Sequence, residues 1–262
     1  MPVTLTESDG VALLTIDRPE RRNALDIELW RALRQAASRT EDARAVVITG
    51  AAGHFCAGMD LAPDNPIIQK IAPAIFDGHE GPARDLLAEL KACVQAIADL
   101  PVPTFAAIEG ACVGGGLEVA LACDVRIAAR DASIGLPEVR IGMIPDVGGC
   151  ARLTRLVGPG RAADLITTGR RVDGEEAFRL GVVERVVDPG RALAVAREAA
   201  AQVCANGPMA VRLALHAVRQ AADLGLAEAL AVETRAGVMA LTSGEPKEGV
   251  AAFLEKRPPR WT

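Results

Sequence analysis

No two of the six cysteines (Cys56, Cys93, Cys112, Cys123, Cys150 and Cys204) stand at a CxxC spacing. That removes the usual zinc and thiol-redox patterns. Cysteines scattered in this way are expected as small buried residues in a reducing compartment. Histidine is scarcer still: His54, His79 and His216 form no metal-ligand pattern, and no metal site is expected. No stretch reaches the roughly 18 apolar residues that a membrane span requires. The segment from Met1 to Gly10 carries acids and lacks the apolar run of a signal peptide. An excess of base is missing as well. The net charge is −5, whereas binding phosphate backbones needs a basic face. A soluble, cytoplasmic protein with neither nucleic acid nor membrane as partner is expected.

Several chemical signatures are also absent. There is no GxxxxGK[ST] loop to cradle nucleotide phosphates. Thr49-Gly50-Ala51-Ala52-Gly53 follows a strand-like run, but a GxGxxG fingerprint would need glycine where Ala52 and Phe55 stand. No GxSxG elbow occurs, and the serines have no histidine at a suggestive spacing. Cys112 lacks a neighbouring base that would make it a nucleophile.

What is present is a chain of 262 residues, 50% of them apolar, ample for one sizeable core. Val3–Ser8 and Val11–Ile16 read as strands joined by a tight Asp9-Gly10 turn. Asp26 caps a helix expected to reach Thr40. Ala45–Thr49, Pro103–Ile108 and Val125–Ala129 are short, wholly apolar strands, as expected where helices cover both faces. Helices are expected over Pro82–Leu100 and from Gly116 to Ala122. Asn65 to Gly81 holds proline and glycine without clear periodicity and reads as a loop. The recurring strand–loop–helix unit predicts a mixed α/β fold. From about Arg191 the chain turns Ala-rich, with helices over Arg191–Cys204, Met209–Asp223 and Leu226–Thr242. The expected division is a core over residues 1–190 and a helical part over 191–262, parted near Asp188-Pro189-Gly190.

Three constellations can carry chemistry, each with an ordinary structural alternative. His54 to Asp60 follows a buried strand, and its small residues Ala57 and Gly58 let backbone N–H groups approach a ligand; equally, such a loop turns a corner. Gly114-Gly115-Gly116 opens a helix, where free N–H groups and the helix dipole stabilise an oxyanion. Glu118 follows one turn on, either beside that donor or as a common first-turn acid. Glu138 and Asp146 are acids in an apolar, Gly-rich stretch. Burial would raise their pKa values and suit them to acid–base work. The alternative is a pair of surface acids facing Arg140 or Arg152.

At these residues the sequence resembles the crotonase family, the enoyl-CoA hydratase/isomerase superfamily. The likeness runs from Arg18-Pro19-Glu20-Arg21-Arg22-Asn23-Ala24-Leu25 through Phe55 to Leu61, Gly110 to Glu118, Ala122-Cys123-Asp124 and Pro137-Glu138. It ends at Ala252-Phe253-Leu254-Glu255-Lys256-Arg257. The resemblance implies a spiral core of repeated ββα units with a C-terminal helical trimerisation part, assembled as a homotrimer or a homohexamer. It implies an acyl-CoA thioester substrate and no cofactor, because the thioester is itself the electron sink. Its two oxyanion-hole N–H groups map onto Ala57 and Gly115. Gly58, Met59, Asp60 and Gly114 fall along the acyl–pantetheine channel, and Ala24 falls near the coenzyme A end. Phe253 and Lys256 match residues that reach a neighbour's coenzyme A.

The family's two hydratase glutamates map onto Glu118 and Glu138, and both are present. This implies addition of water across the 2,3 double bond of a 2-enoyl-CoA. One departure stands out: Asp146 occupies a position that is usually glycine in hydratases and acidic in some isomerases. The alternative is therefore an enoyl-CoA or dienoyl-CoA isomerase using Glu138 and Asp146. Decarboxylation or thioester hydrolysis on the same scaffold, a non-catalytic acyl-CoA binder and a nucleotide-dependent oxidoreductase are weaker alternatives. The three retained acids count against the binder, since buried carboxylates cost desolvation.

Overall fold

The structure, a computed structural model, describes residues 2–261. Met1 and Thr262, the outer ends of the two expected parts, lie outside the described residues. Strands β1 (Val3–Ser8) and β2 (Val11–Ile16) pair antiparallel around the Asp9-Gly10 turn. Both turn residues take positive φ, 53° and 78°, as a tight hairpin demands. Helix α1 (Ile27–Ala37) starts where Asp26 accepts the Leu29 N–H at 2.8 Å. It stops short of the expected Thr40. Strand β3 (Ala45–Gly50) follows.

The expected loop over Asn65 to Gly81 contains helix α2 (Pro66–Asp77). The Asn65 side chain accepts the Ile67 N–H at 3.0 Å, and Pro66 sits in the first turn, where a missing N–H costs nothing. Pro73 inside the helix masks the pattern in the sequence, and only Ile67 is fully buried. Helix α3 (Glu80–Ala98) packs against α2 and α1. Then come β4 (Thr104–Ile108), β5 (Ala111–Val113) and α4 (Gly115–Ala122). Next are β6 (Val125–Ala129), β7 (Ser133–Gly135) and a 3-10 turn over Glu138–Ile141. Helices α5 (Gly149–Val157), α6 (Pro159–Thr168) and α7 (Gly174–Leu180) precede β8 (Arg185–Val187). The chain finishes in α8 (Ala192–Cys204), α9 (Pro208–Ala221), α10 (Leu226–Thr242) and α11 (Glu245–Glu255). No helix among the described residues is long and apolar enough to cross a membrane.

The main sheet runs β1-β2-β3-β4-β6-β8, parallel from β2 onward. A second layer forms where β5 and β7 pair in parallel. The single bridges Cys56 to Cys112 and Leu25 to Met59 continue that layer. Three long strands are thus each followed by a short strand-like segment and then a helix. Repeated three times, from β3, β4 and β6, this is a spiral of ββα units. One face of the sheet, with Val46, Ile48, Ala106 and Ile108, packs against α1, α3 and α4. The other face, with Ala45, Val47, Phe105, Ala107 and Ile127, is covered by Ala192, Ala196, Ala199 and Ala200 of α8. Alanine there lets the helix lie close to the sheet. Helix α9 is tied back by Arg219, whose guanidinium grips both Asp124 oxygens at 2.8 Å.

Candidate active site

The spiral brings the three constellations to one place. A cavity of about 360 Å³ is lined by Ala57, Gly58, Met59, Gly114, Gly115, Glu118, Glu138 and Asp146 together. Ile67 and Ile71 of α2 and Leu86, Leu87 and Leu90 of α3 close it with apolar surface. Two loops meet backbone to backbone here. Gly58 has φ 93° and Gly114 φ 55°. A Cβ on Gly58 would stand 2.7 Å from the Val113 carbonyl oxygen, and one on Gly114 would stand 3.8 Å from the Gly58 Cα. Only glycine allows this approach with these dihedrals.

The upstream loop is pinned by Asn23, which is fully buried. Its side-chain amide donates to the carbonyls of Ala51 (2.9 Å) and His54 (2.7 Å). The loop's own hydrogen bonds correct the expected oxyanion donor. The Ala57 N–H is spent on the Arg22 carbonyl at 3.0 Å, so it is not free to hold an oxyanion. The bracketing contacts Leu25 N–H to Gly58 O (2.7 Å) and Asp60 N–H to Leu25 O (3.0 Å) leave the Met59 N–H between them. That N–H has no acceptor among the described residues. Gly115, the first residue of α4, has none either, because the first N–H groups of a helix lack intrahelical acceptors. The free pair is Met59 and Gly115.

Asp60 is also corrected. It is absent from the cavity lining and forms an ion pair with Arg18 at 2.8 Å. Burial alone would raise its pKa; the Ala62 N–H and the Arg18 guanidinium outweigh that and hold it below the usual carboxylate range. Asp60 is an anchor for the loop. Ala24 is buried outside the lining, its carbonyl taken by Arg18 at 3.0 Å. Phe253 and Lys256, at the end of α11, also lie outside the lining, and Phe253 is 82% exposed.

Glu118 sits in α4, every residue of which is buried. One carboxylate oxygen accepts the N–H groups of Val147 (2.7 Å) and Gly149 (2.8 Å). Burial pushes its pKa up to about 7, the two N–H donors oppose that, and the Glu138 and Asp146 charges add to it. Glu138 opens its 3-10 turn, with one oxygen against Gly114, 2.8 Å from where a Cβ would lie. Its other oxygen is buried and has no partner among the described residues. Burial raises its pKa, and the Asp146 charge reinforces the rise. Asp146 is raised by burial too, against the pull of its own N–H and of Lys91. The reading of Glu138 and Asp146 as surface acids therefore gives way to half-buried acids facing one cavity.

Sequence reasoning missed the apolar wall. Trp30, 2% exposed, packs on Gly115 and lines the cavity, but in the sequence it is one more apolar residue of α1. The α2 residues were hidden by the loop assignment. Arg140 and Arg171 also border the cavity. Among the described residues no group of three or more His, Cys, Asp and Glu side chains is placed to hold a metal ion.

Known proteins are similar to this chain in sequence and fold. A family model described as Enoyl-CoA hydratase/isomerase matches residues 6–262. An enoyl-CoA hydratase of Mycobacterium tuberculosis is 38% identical over 266 residues, covering 99% of this chain and 96% of its own. The human mitochondrial methylglutaconyl-CoA hydratase is 35% identical over 263 residues, covering 97% of this chain and 74% of its own. The crystal structure of an enoyl-CoA hydratase from Bacillus anthracis superimposes with a TM-score of 0.90 at 35% identity, covering 100% of this chain and 99% of that one. With the spiral, the paired loops and a family match over nearly the whole length, the chain belongs to the enoyl-CoA hydratase/isomerase family.

Proposed function

We propose that the protein adds water across the 2,3 double bond of a 2-enoyl-CoA thioester. The observation that carries the reading is the convergence of Glu118, Glu138 and the two free N–H groups of Met59 and Gly115 on one cavity. The thioester oxygen is placed between the two N–H donors, which hold the enolate charge that develops when water attacks C3. Glu118, its oxygen bonded to two N–H groups that favour the ionised form, takes the proton from water. Glu138, with an unpartnered buried oxygen that favours the neutral acid, delivers a proton to C2. Water's oxygen ends on C3 and a proton on C2, so the reaction balances without a cofactor.

Relatives named as hydratases of enoyl-CoA and methylglutaconyl-CoA support the same chemistry. Exposed apolar side chains along α10 and α11, among them Leu226, Val238, Leu241, Phe253 and Leu254, support assembly as a trimer or hexamer. In such an assembly Phe253 and Lys256 serve a neighbour's coenzyme A. The setting we assign is the cytoplasm.

The test is a proton NMR time course with crotonyl-CoA in deuterated water. Formation of 3-hydroxybutyryl-CoA is the expected result, and its absence ends the hydratase reading. Asp146 favours a second reading, because its carboxyl lines the same cavity with a raised pKa. Under hydration, Asp146→Asn keeps kcat on crotonyl-CoA to within about tenfold, since the residue is outside the proton-moving pair. If the wild type instead moves the double bond of a 3-enoyl-CoA and Asp146→Asn abolishes that, the assignment passes to isomerase.

A further inference from the structure

One half-buried cation close to the acid pair has no part in the chemistry described so far. Arg152 is in α5, and its backbone N–H bonds the Gly148 carbonyl at 2.8 Å. Its guanidinium folds back over the turn that precedes the helix. One nitrogen donates to the Val147 carbonyl at 3.3 Å, and the other donates to the Gln95 side chain of α3 at 2.9 Å. Gln95 in turn donates to Asp99 at 2.7 Å. The guanidinium occupies the space that a side chain at residue 148 would need, and Gly148 has φ 122°. The Val147 and Gly149 N–H groups, which hold Glu118, flank that glycine.

We propose that Arg152 is a positioning residue for the reaction: it clamps the 147–149 turn so that the N–H groups of Val147 and Gly149 meet Glu118 and keep it an ionised, correctly aimed base. The proposal rests on the hydratase reading for its kinetic consequence but not for its structural one. Both N–H donors belong to a turn of two glycines that has little rigidity of its own. Through Gln95 the clamp ties this turn to α3. Burial lowers the Arg152 pKa, the Glu118 and Asp99 charges offset part of that, and a guanidinium stays a cation at neutral pH. The other charged groups facing Glu118 are Glu138 of the 3-10 turn and Asp146. Lys91 of α3 acts on Asp146. Arg152 is therefore the cation tied by hydrogen bonds to the cradle itself.

The experiment is a carbon-13 NMR titration of the Glu118 carboxyl in the free protein, beside the pH profile of kcat. Both are measured in wild type, Arg152→Gln, Arg152→Lys and Gln95→Ala. Arg152→Gln is expected to raise the Glu118 midpoint by about one pH unit, as loss of donors and of a nearby cation does. At neutral pH a shift of that size is expected to lower kcat about fivefold, with KM within about threefold and most of the loss recovered at high pH. Arg152→Lys keeps the charge and recovers part of both. Gln95→Ala, which removes only the outer anchor, gives a smaller shift in the same direction and carries the test if Arg152→Gln does not fold. An unchanged Glu118 midpoint in the folded variants, or a loss of kcat that is flat with pH, overturns the proposal. If the wild type hydrates no enoyl thioester, the hydratase reading falls, while the Glu118 titration still decides the role of Arg152.

Discussion

Glu118→Gln is expected to abolish hydration and to make the protein more stable at neutral pH. The activity loss is about 10³–10⁴-fold, the upper range for removing a positioned general base. The stability gain follows from the same burial. In the folded chain the Glu118 pKa is pushed from 4.5 up to about 7. Between those values the unfolded chain ionises while the folded one holds its proton. Stability that is full below pH 4.5 is therefore lost as pH rises through 7. The loss amounts to on the order of 3 kcal/mol for a shift of this size at 1.36 kcal/mol per unit. Glutamine keeps an acceptor for the Val147 and Gly149 N–H groups and never ionises. Thermal melts at pH 5 and pH 8 check this. The variant and wild type should nearly coincide at the lower pH, and the variant should melt about 5–10 °C higher at pH 8. Wild-type kcat should fall as pH drops through about 7, as the base is protonated. A variant less stable than wild type at pH 8 would show that Glu118 is held as a favourable ion, against the burial argument.

Much of this site was legible because its residues contradict their surroundings. A glutamate inside α4, among Leu117, Val119, Ala120 and Leu121, has no packing reason to be there, and a run of three glycines before it asks for unusual backbone. Hairpin β1–β2 was legible to the residue because Asp9-Gly10 is a turn by its own chemistry. Two of the failures have a common cause. Which amide of Ala57-Gly58-Met59 is free depends on a carbonyl at Arg22 that takes the Ala57 N–H, and no local spacing reports that bond. Asp60 looked like channel lining because the sequence does not say that Arg18 folds across to it. Helix α2 was lost for a local reason: Pro73 lies within it, and one buried residue leaves no period to detect. That miss also hid Ile67 and Ile71, and with them one wall of the acyl cavity.

Gly114→Ala should remove activity although the substituted residue itself exchanges no proton. Gly114 stands at φ 55° and ψ −130°, a region open to glycine and strained for every L side chain by about 1–3 kcal/mol. Its N–H bonds the Gly135 carbonyl at 2.9 Å, so the turn cannot rotate away cheaply. A new methyl would lie 2.8 Å from a Glu138 carboxylate oxygen, too close for carbon against oxygen. Two displacements follow: Glu138 is driven from the place where it meets C2, and the Gly115 N–H next along the chain turns off the thioester oxygen. Losing one oxyanion donor alone costs about 10²–10³ in kcat, and a fall of at least that size is expected. Gly160→Ala is the control: its Cβ meets no atom within 4 Å and its φ is ordinary for an L residue, so activity should be unchanged. The double variant Gly114→Ala with Glu138→Gln separates the two displacements. If the methyl acts mainly by expelling Glu138, the pair loses little more than Glu138→Gln alone. If it acts mainly by turning the Gly115 N–H, the losses multiply, because the oxyanion donors and the proton donor then fail independently.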